Sequence, residues 1–361
     1  MNIKIDTIKK IYSSLAVLVL LSVSHAGTLN SAGTAAGSQL LIPQGSENIA
    51  LSASNGAAAS GVHSLFSNPA GLASITNMSG STSNGDYIAD TQLTNFAFGM
   101  PLNGTTTIAA GIRVLDFGDI PRTTADATEG DGSTFSPSFY VAQLGVGRLI
   151  SDRVRVGATG KIVSETMDDV SATALALDLG VQYSFPSERL HVGVALKNLG
   201  SRMQYSGTGM EQTLVPDGTQ PGTNNENFSV TAADNPLPTS LDISVGYALN
   251  SNLMVTTSFQ NYSYQLNTLS FGAKYHMNDV WFGAGSTMNV QKGDQKLGMS
   301  DVDWEDYTES NWGFSVGMGA NIDVGTSVLS VSYSLRQSKE YFDDYSSVSY
   351  THLTLPTMIG V

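Results

Sequence analysis

Few side chains in this sequence of 361 residues have the type and spacing to do chemistry. Beyond residue 26 the histidines are His63, His191, His276 and His352, scattered along the chain. A nucleophile–histidine–carboxylate arrangement is recognised by geometry and needs no sequence order, yet no local signature supports one here. The absence of cysteine excludes a thiolate nucleophile, a thiolate metal site and a disulfide framework. Gly283-Ala284-Gly285 and Gly317-Met318-Gly319 are Gly-rich but lie inside strand patterns with no following helix, so they are not phosphate-cradling loops. Asp301, Asp303 and Glu305, in an acidic run that continues through Asp306 and Glu309, raise a Ca²⁺ site, since hard cations want clustered carboxylates. That run lacks the Gly and the spacing of a dedicated calcium loop, and a solvated acidic outer loop is the better reading. Neither an enzymatic activity nor a cofactor is expected; a lipase-like enzyme would need a triad for which there is no signal.

The remaining charged residues that matter are Arg113, Arg155, Lys161, Lys197, Lys274 and Arg336, with Asp178 and Asp242 as partners. All fall on one parity of segments that alternate with period two. Thr173, Leu175, Leu177, Leu179, Val181, Tyr183 and Phe185 share one face, and Ala174, Ala176, Asp178, Gly180, Gln182 and Ser184 the other. Leu190, Val192, Val194 and Leu196 oppose His191, Gly193, Ala195 and Lys197; Leu241, Ile243, Val245 and Tyr247 oppose Asp242, Ser244 and Gly246. Trp312, Phe314, Val316 and Met318 oppose Gly313, Ser315, Gly317 and Gly319. If the apolar parity meets lipid, Arg and Lys must point inward, because a cation on the lipid face at mid-membrane costs about 2–4 kcal/mol. Leu177, Val194 and Val245 should then face lipid, and Asp178, Lys197 and Asp242 the interior. The inward charges form either a structural salt-bridge lattice or an anion-attracting path suited to fatty-acid carboxylates.

The elements that position these residues are strands of about 9–13 residues, the length of a tilted membrane-spanning strand. Thirteen are expected, near 78–88, 92–101, 105–116, 138–150, 152–165, 171–185, 189–199, 238–249, 252–261, 266–277, 279–289, 311–322 and 326–337. Short turns rich in Asn, Asp, Gly, Pro and Ser (Asn103-Gly104, Ser151-Asp152, Pro186-Ser187-Glu188) alternate with other connections, several much longer: 117–137, 200–237 and 290–310. Tight turns at one end and long loops at the other describe an all-β, up-and-down antiparallel transmembrane barrel of about fourteen strands. A soluble β-sandwich would show shorter strands without strict alternation of loop length.

Composition agrees. Only 13% of residues are charged, about half the soluble average. There are 37 glycines, and apolar residues are spread singly, as in a diluted lipid-facing surface. A net charge of −14 argues against nucleic-acid binding. Residues 1–26 read as a signal peptide. Lys4, Lys9 and Lys10 precede an apolar run from Leu15 to Val23, and Ser24-His25-Ala26 supplies small residues for cleavage. The run is too short to span a bilayer as a helix, which takes about 20 residues. The expected location is the outer membrane of a Gram-negative-type bacterium, in contact with its lipid. Residues 27–77, rich in small residues and outside the strand pattern, have the length of a plug or periplasmic lead-in.

One stretch carries a family likeness. Ile42-Pro43-Gln44-Gly45-Ser46-Glu47-Asn48-Ile49-Ala50-Leu51, followed by Leu65-Phe66-Ser67-Asn68-Pro69-Ala70-Gly71-Leu72-Ala73, resembles the N-terminal signature of PorV/PorQ-type outer-membrane proteins. The wider FadL-like long-chain fatty-acid transporters share its Asn-Pro-Ala core. Ser46-Glu47 and Ser54-Asn55 depart from the usual residues, and Phe66-Ser67 from the aromatic that usually precedes Asn; beyond this segment the likeness is architectural. It implies a fourteen-stranded barrel with an N-terminal plug carrying Asn68, Pro69, Ala70, Gly71 and Leu72. It also implies a non-enzymatic role in envelope transport or type IX-like protein secretion, with secretion-system proteins as partners. The alternative is a FadL-like channel for fatty acids or other hydrophobic molecules. From the residues alone, Asn68-Pro69-Ala70-Gly71 also reads as a tight turn into the first strand.

The C-terminus does not follow the pattern. Thirteen strands end outside, and an even-numbered barrel requires a fourteenth to return. The last residues, Ser349-Tyr350-Thr351-His352-Leu353-Thr354-Leu355-Pro356-Thr357-Met358, resemble translated sequencing-adapter read-through and lack a terminal aromatic. Val348–Leu355 is the only alternative closing strand. Its eight residues fall short of the roughly 9–11 a span needs, and Pro356 stops extension. Residues 78–346 are therefore expected to be barrel and 347–361 a doubtful tail.

Overall fold

The computed structural model describes residues 33–214, 226–290, 298–339 and 344–353. The signal peptide and the end of the tail, including Leu355 and Pro356, lie outside them. Fourteen antiparallel strands close into one barrel, each paired with its neighbours in chain order and the last with the first. They are β1 (Ser79–Asp86), β2 (Gln92–Pro101), β3 (Thr106–Asp116), β4 (Ser138–Ser151), β5 (Val154–Met167), β6 (Val170–Ser184) and β7 (Leu190–Gly200). There follow β8 (Ser240–Ala248), β9 (Leu253–Tyr262), β10 (Thr268–Met277), β11 (Val280–Asn289), β12 (Trp312–Val324), β13 (Ser327–Ser338) and β14 (Tyr345–Leu353). The thirteen strands read from alternation lie within a few residues of these bounds. Among the described residues no helix is long and apolar enough to cross a membrane.

The wall shows why the alternation is so strict. Phe96, Phe98, Leu144, Leu175, Phe271 and Phe314 stand exposed on the outer surface, while Asn95, Gln143, Thr159, Asp178, Gln182 and Ser315 are buried inside. A one-residue slip would exchange these sets, so the register is held by the cost of placing polar groups in lipid.

Three expectations need correction. The barrel does not stop at 346. Strand β14 pairs with β13 from Arg336↔Tyr345 to Val328↔Leu353, and with β1 from Asn84↔Val348 to Ser79↔Leu353. The proposed boundary falls inside this strand. It is Ser-rich because its inward residues meet protein: Ser46 N donates to Ser349 Oγ at 3.1 Å, Ser46 Oγ to the Ser347 carbonyl at 3.1 Å, and Tyr345 OH to the Pro43 carbonyl at 3.1 Å. His63 Nε2 lies 2.7 Å from Thr351 Oγ1. Pro43, Ser46 and His63 of the plug supply those partners, which the length and composition of β14 do not reveal.

Trp312 does not share the outer face of Phe314. The ladder steps from Trp312↔Ser338 to Ser315↔Arg336, one extra residue on β12. That bulge turns Trp312 inward against Tyr87 and Tyr345. The acidic run, finally, is not an irregular loop: Asp301–Thr308 forms the helix α2, after the plug helix α1 (Ser46–Ala50). Ser300 Oγ donates to Asp303 Oδ2 at 2.8 Å. No group of three His, Asp or Glu able to hold a metal occurs among the described residues.

Candidate functional site

Residues 45–77 fill the turn-side half and the middle of the lumen, while 36–42 run along its loop-side wall, where Gly37 N donates to Glu165 Oε1 at 3.0 Å and Leu40 packs with Val141, Val163 and Leu237. Asn68, itself extended, follows the 3₁₀ turn Val62–Phe66 and caps a second one, Pro69–Ser74: its Oδ1 accepts from Ala70 N at 3.1 Å, and Pro69, which has no N–H to satisfy, occupies the first turn. Its Nδ2 donates to the Gly56 carbonyl at 3.1 Å, tying two parts of the plug together. The wall meets this turn with glycine. A Cβ at Gly157 would stand 2.2 Å from the Pro69 carbonyl, one at Gly180 2.1 Å from Asn68 Oδ1, and one at Gly147 2.5 Å from Ala73 N. Farther round, Gly193 faces Ala57 and Gly285 faces Leu51 with equally little room. Gln182 Nε2 donates to the Gly56 and Ala59 carbonyls at 2.9 Å each. Val62, Leu65, Phe66, Leu72 and Ile75 pack on Ala97 and Ala109 of β2 and β3. Asn68, Ala70 and Leu72 are at most 1% exposed.

A belt of charge crosses the wall above this seat. Lys161 Nζ pairs with Asp178 Oδ2 at 2.5 Å, and Lys197 with Asp242 at 2.6 Å. Asn198 braces the first pair: its N–H donates to Asp178 Oδ1 at 2.8 Å and its Oδ1 accepts from Lys161 at 2.8 Å. It turns inward beside Lys197 because β7 carries an extra residue opposite Asp178, with Asn198 at φ 59°. Strict alternation placed Asn198 outside, and its role was missed; an Asn, which tolerates the left-handed region, was the only signal. Lys274 pairs with Glu47 of the plug at 2.7 Å, a partner the alternation of the wall had no way to supply. Arg155 sits near the turn end, on the parity of Gly157 and Thr159.

The two buried arginines differ from the lysines, having no carboxylate partner among the described residues. Arg113 donates from Nη1 to the Gln39 carbonyl at 2.6 Å and lies 5.8 Å from the centroid of Phe66. Arg336 lies 4.8 Å from the centroid of Trp312 and reaches Thr287 Oγ1 at 3.5 Å.

Above the plug, the loop-side half of the lumen holds a cavity of about 1090 Å³. Its floor is plug, Leu40 to Pro43 with Asn48 and Ala53. Its sides are the loop-end residues Lys197, Gln260, Tyr262, Thr287, Trp312 and Arg336, and helix α2 reaches its rim through Asp303. A second, separate space of about 20 Å³ lies between the plug residues Asn48, Gly56 and Asn68 and the wall residues Lys197, Asp242 and Ser258. The family-like residues therefore form the stopper and, through Ile42, Pro43, Asn48 and Phe66, part of the chamber lining, whereas Gln260, Tyr262, Thr287 and Trp312 of its sides belong to no motif.

No model of a protein family matches the sequence, and no curated protein does. Among solved structures the barrel is similar to the CymD monoaromatic hydrocarbon channel, with a TM-score of 0.56 and 11% identity over 88% of this chain and 98% of that one. It is similar also to the Pseudomonas putida toluene transporter TodX, with a TM-score of 0.53 and 12% identity over 86% of this chain and 97% of that one. The narrower PorV/PorQ resemblance gains nothing from these likenesses and rests on the plug residues alone. What the comparisons show is the fold, a closed barrel like those of these two proteins.

Proposed function

We propose that this chain is an outer-membrane channel that admits small hydrophobic or amphipathic molecules through its loop-side chamber, without chemistry of its own. The observation that carries the reading is a plug seated on the glycines of the wall beside a chamber of small-molecule size. The exposed apolar belt of Phe96, Phe98, Leu144, Leu175 and Phe314 is the surface an outer-membrane barrel presents to lipid. Similarity of fold to two hydrocarbon channels favours the transport role over the secretion role. The test is uptake of labelled toluene by a Gram-negative host stripped of its own hydrocarbon channels. The expected outcome is uptake several-fold faster with this chain at the surface than with an empty vector. Equal rates, with folded protein in the outer membrane, would overturn the proposal.

A further inference from the structure

Among the described residues, the chamber is lined by one cation that has no carboxylate partner, Arg336. Lys197 and Lys339, which also line it, are paired with Asp242 and Glu309. Arg336 is 5% exposed; among the described residues its Nε finds no hydrogen-bond partner, and its guanidinium reaches Thr287 Oγ1 at 3.5 Å, the limit of length. A guanidinium taken out of water without a counter-ion is strongly unfavourable. Its planar fork matches a carboxylate through two parallel hydrogen bonds. Resting on the channel reading, we infer that Arg336 is the head-group site of the chamber and that its ligand is an aromatic carboxylate, a benzoate-like anion.

The surroundings choose the ring. The bulge in β12 lays Trp312 under the guanidinium, and Tyr87 extends the same flank 5.9 Å from Trp312 at a tilt of 31°. Flat apolar faces of this kind take a flat ligand. Thr287, within 3.5 Å of the guanidinium, adds a hydroxyl to this end of the chamber, while the aliphatic lining, Leu40 to Pro43, belongs to the plug floor. Arg113, the other arginine without a carboxylate, is held by the Gln39 carbonyl and does not line the chamber, so it is no competing site.

The experiment is calorimetric titration of the purified full chain in detergent with benzoate, decanoate, toluene and inorganic phosphate, repeated on Arg336→Met, Arg336→Lys and Trp312→Leu. Benzoate should bind more tightly than decanoate or phosphate, and Arg336→Met should weaken it by about tenfold or more, the worth of a lost charge-assisted pair. Arg336→Lys, which keeps the charge without the fork, should fall between, and Trp312→Leu should weaken benzoate while leaving phosphate unchanged. Equal binding of decanoate, phosphate as the strongest ligand, or benzoate binding indifferent to Arg336→Met would each overturn the inference. Folding of each variant is checked by heat-modifiable mobility, and Trp312→Leu, outside the charge, keeps the test decisive where Arg336→Met does not fold. Toluene uptake by cells separates the two ideas. Loss of that uptake condemns the channel reading, whereas intact uptake without Arg336-dependent benzoate binding condemns only the head-group site.

Discussion

The two halves of the lumen are built on the same alternation and solve opposite problems. On the turn side the inward positions are Gly157, Gly180, Gly147 and Gly193, and the plug backbone fills the space their missing side chains leave. On the loop side the inward positions are Lys197, Gln260, Thr287 and Arg336, and a chamber stays open between them. Where the wall gives up side chains the plug backbone seats against it; where it keeps Lys197, Gln260, Thr287 and Arg336 a chamber stays open and charge must be managed. A channel needs both, a stop and a receiving space.

The sharpest way to break the comparison is to unbalance the charge belt between the halves. Asp178→Ala leaves Lys161 buried without its counter-ion, both side chains being at most 6% exposed. The expected loss is about 3–5 kcal/mol, read as a lowered urea midpoint of the folded, heat-modifiable form. The pair and the wall around it would be independent of each other if that midpoint did not move.

The turn-side half is tested by size alone. Gly157→Val puts branched carbons where Pro69 stands and should destabilise by about 1–3 kcal/mol. Because the strain falls on the plug, the same variant should raise single-channel conductance in planar bilayers, whereas a variant at an outward position such as Gly160, which has open space beside it, should not. Unchanged conductance for Gly157→Val would mean that the plug is not seated on this wall.

The smallest expected effect is that of pH. Burial holds the His63 imidazole below its usual value, against an opposing pull from Glu47. The folded protein therefore binds this proton less readily than the unfolded chain. The stability tied to neutral His63 is complete above the ordinary value of 6.5 and is lost as pH falls from there toward the lowered folded value. His63 contacts Thr351 of β14, so proteolysis at the β1–β14 seam should quicken over that range, and His63→Gln should flatten the response. An identical acid response in wild type and variant would remove His63 from the account.

The order and approximate bounds of thirteen strands, the lipid belt and the inward parity of Lys161, Asp178 and Asp242 were legible in the residues alone, because strand alternation is a local, period-two property that a membrane enforces at every position. The fourteenth strand was not legible, since Ser347 and Ser349 acquire meaning only from Ser46, some three hundred residues earlier. Nor were the inward turns of Asn198 and Trp312, because a bulge depends on what the neighbouring strand offers and leaves no periodic trace. The sequence by itself thus determined that the chain is a membrane barrel with a non-strand segment before it. Only the tertiary structure decided where that segment stops, and hence that Arg336 faces an open chamber instead of a partner: a buried charge is defined by everything packed around it, and packing is not local.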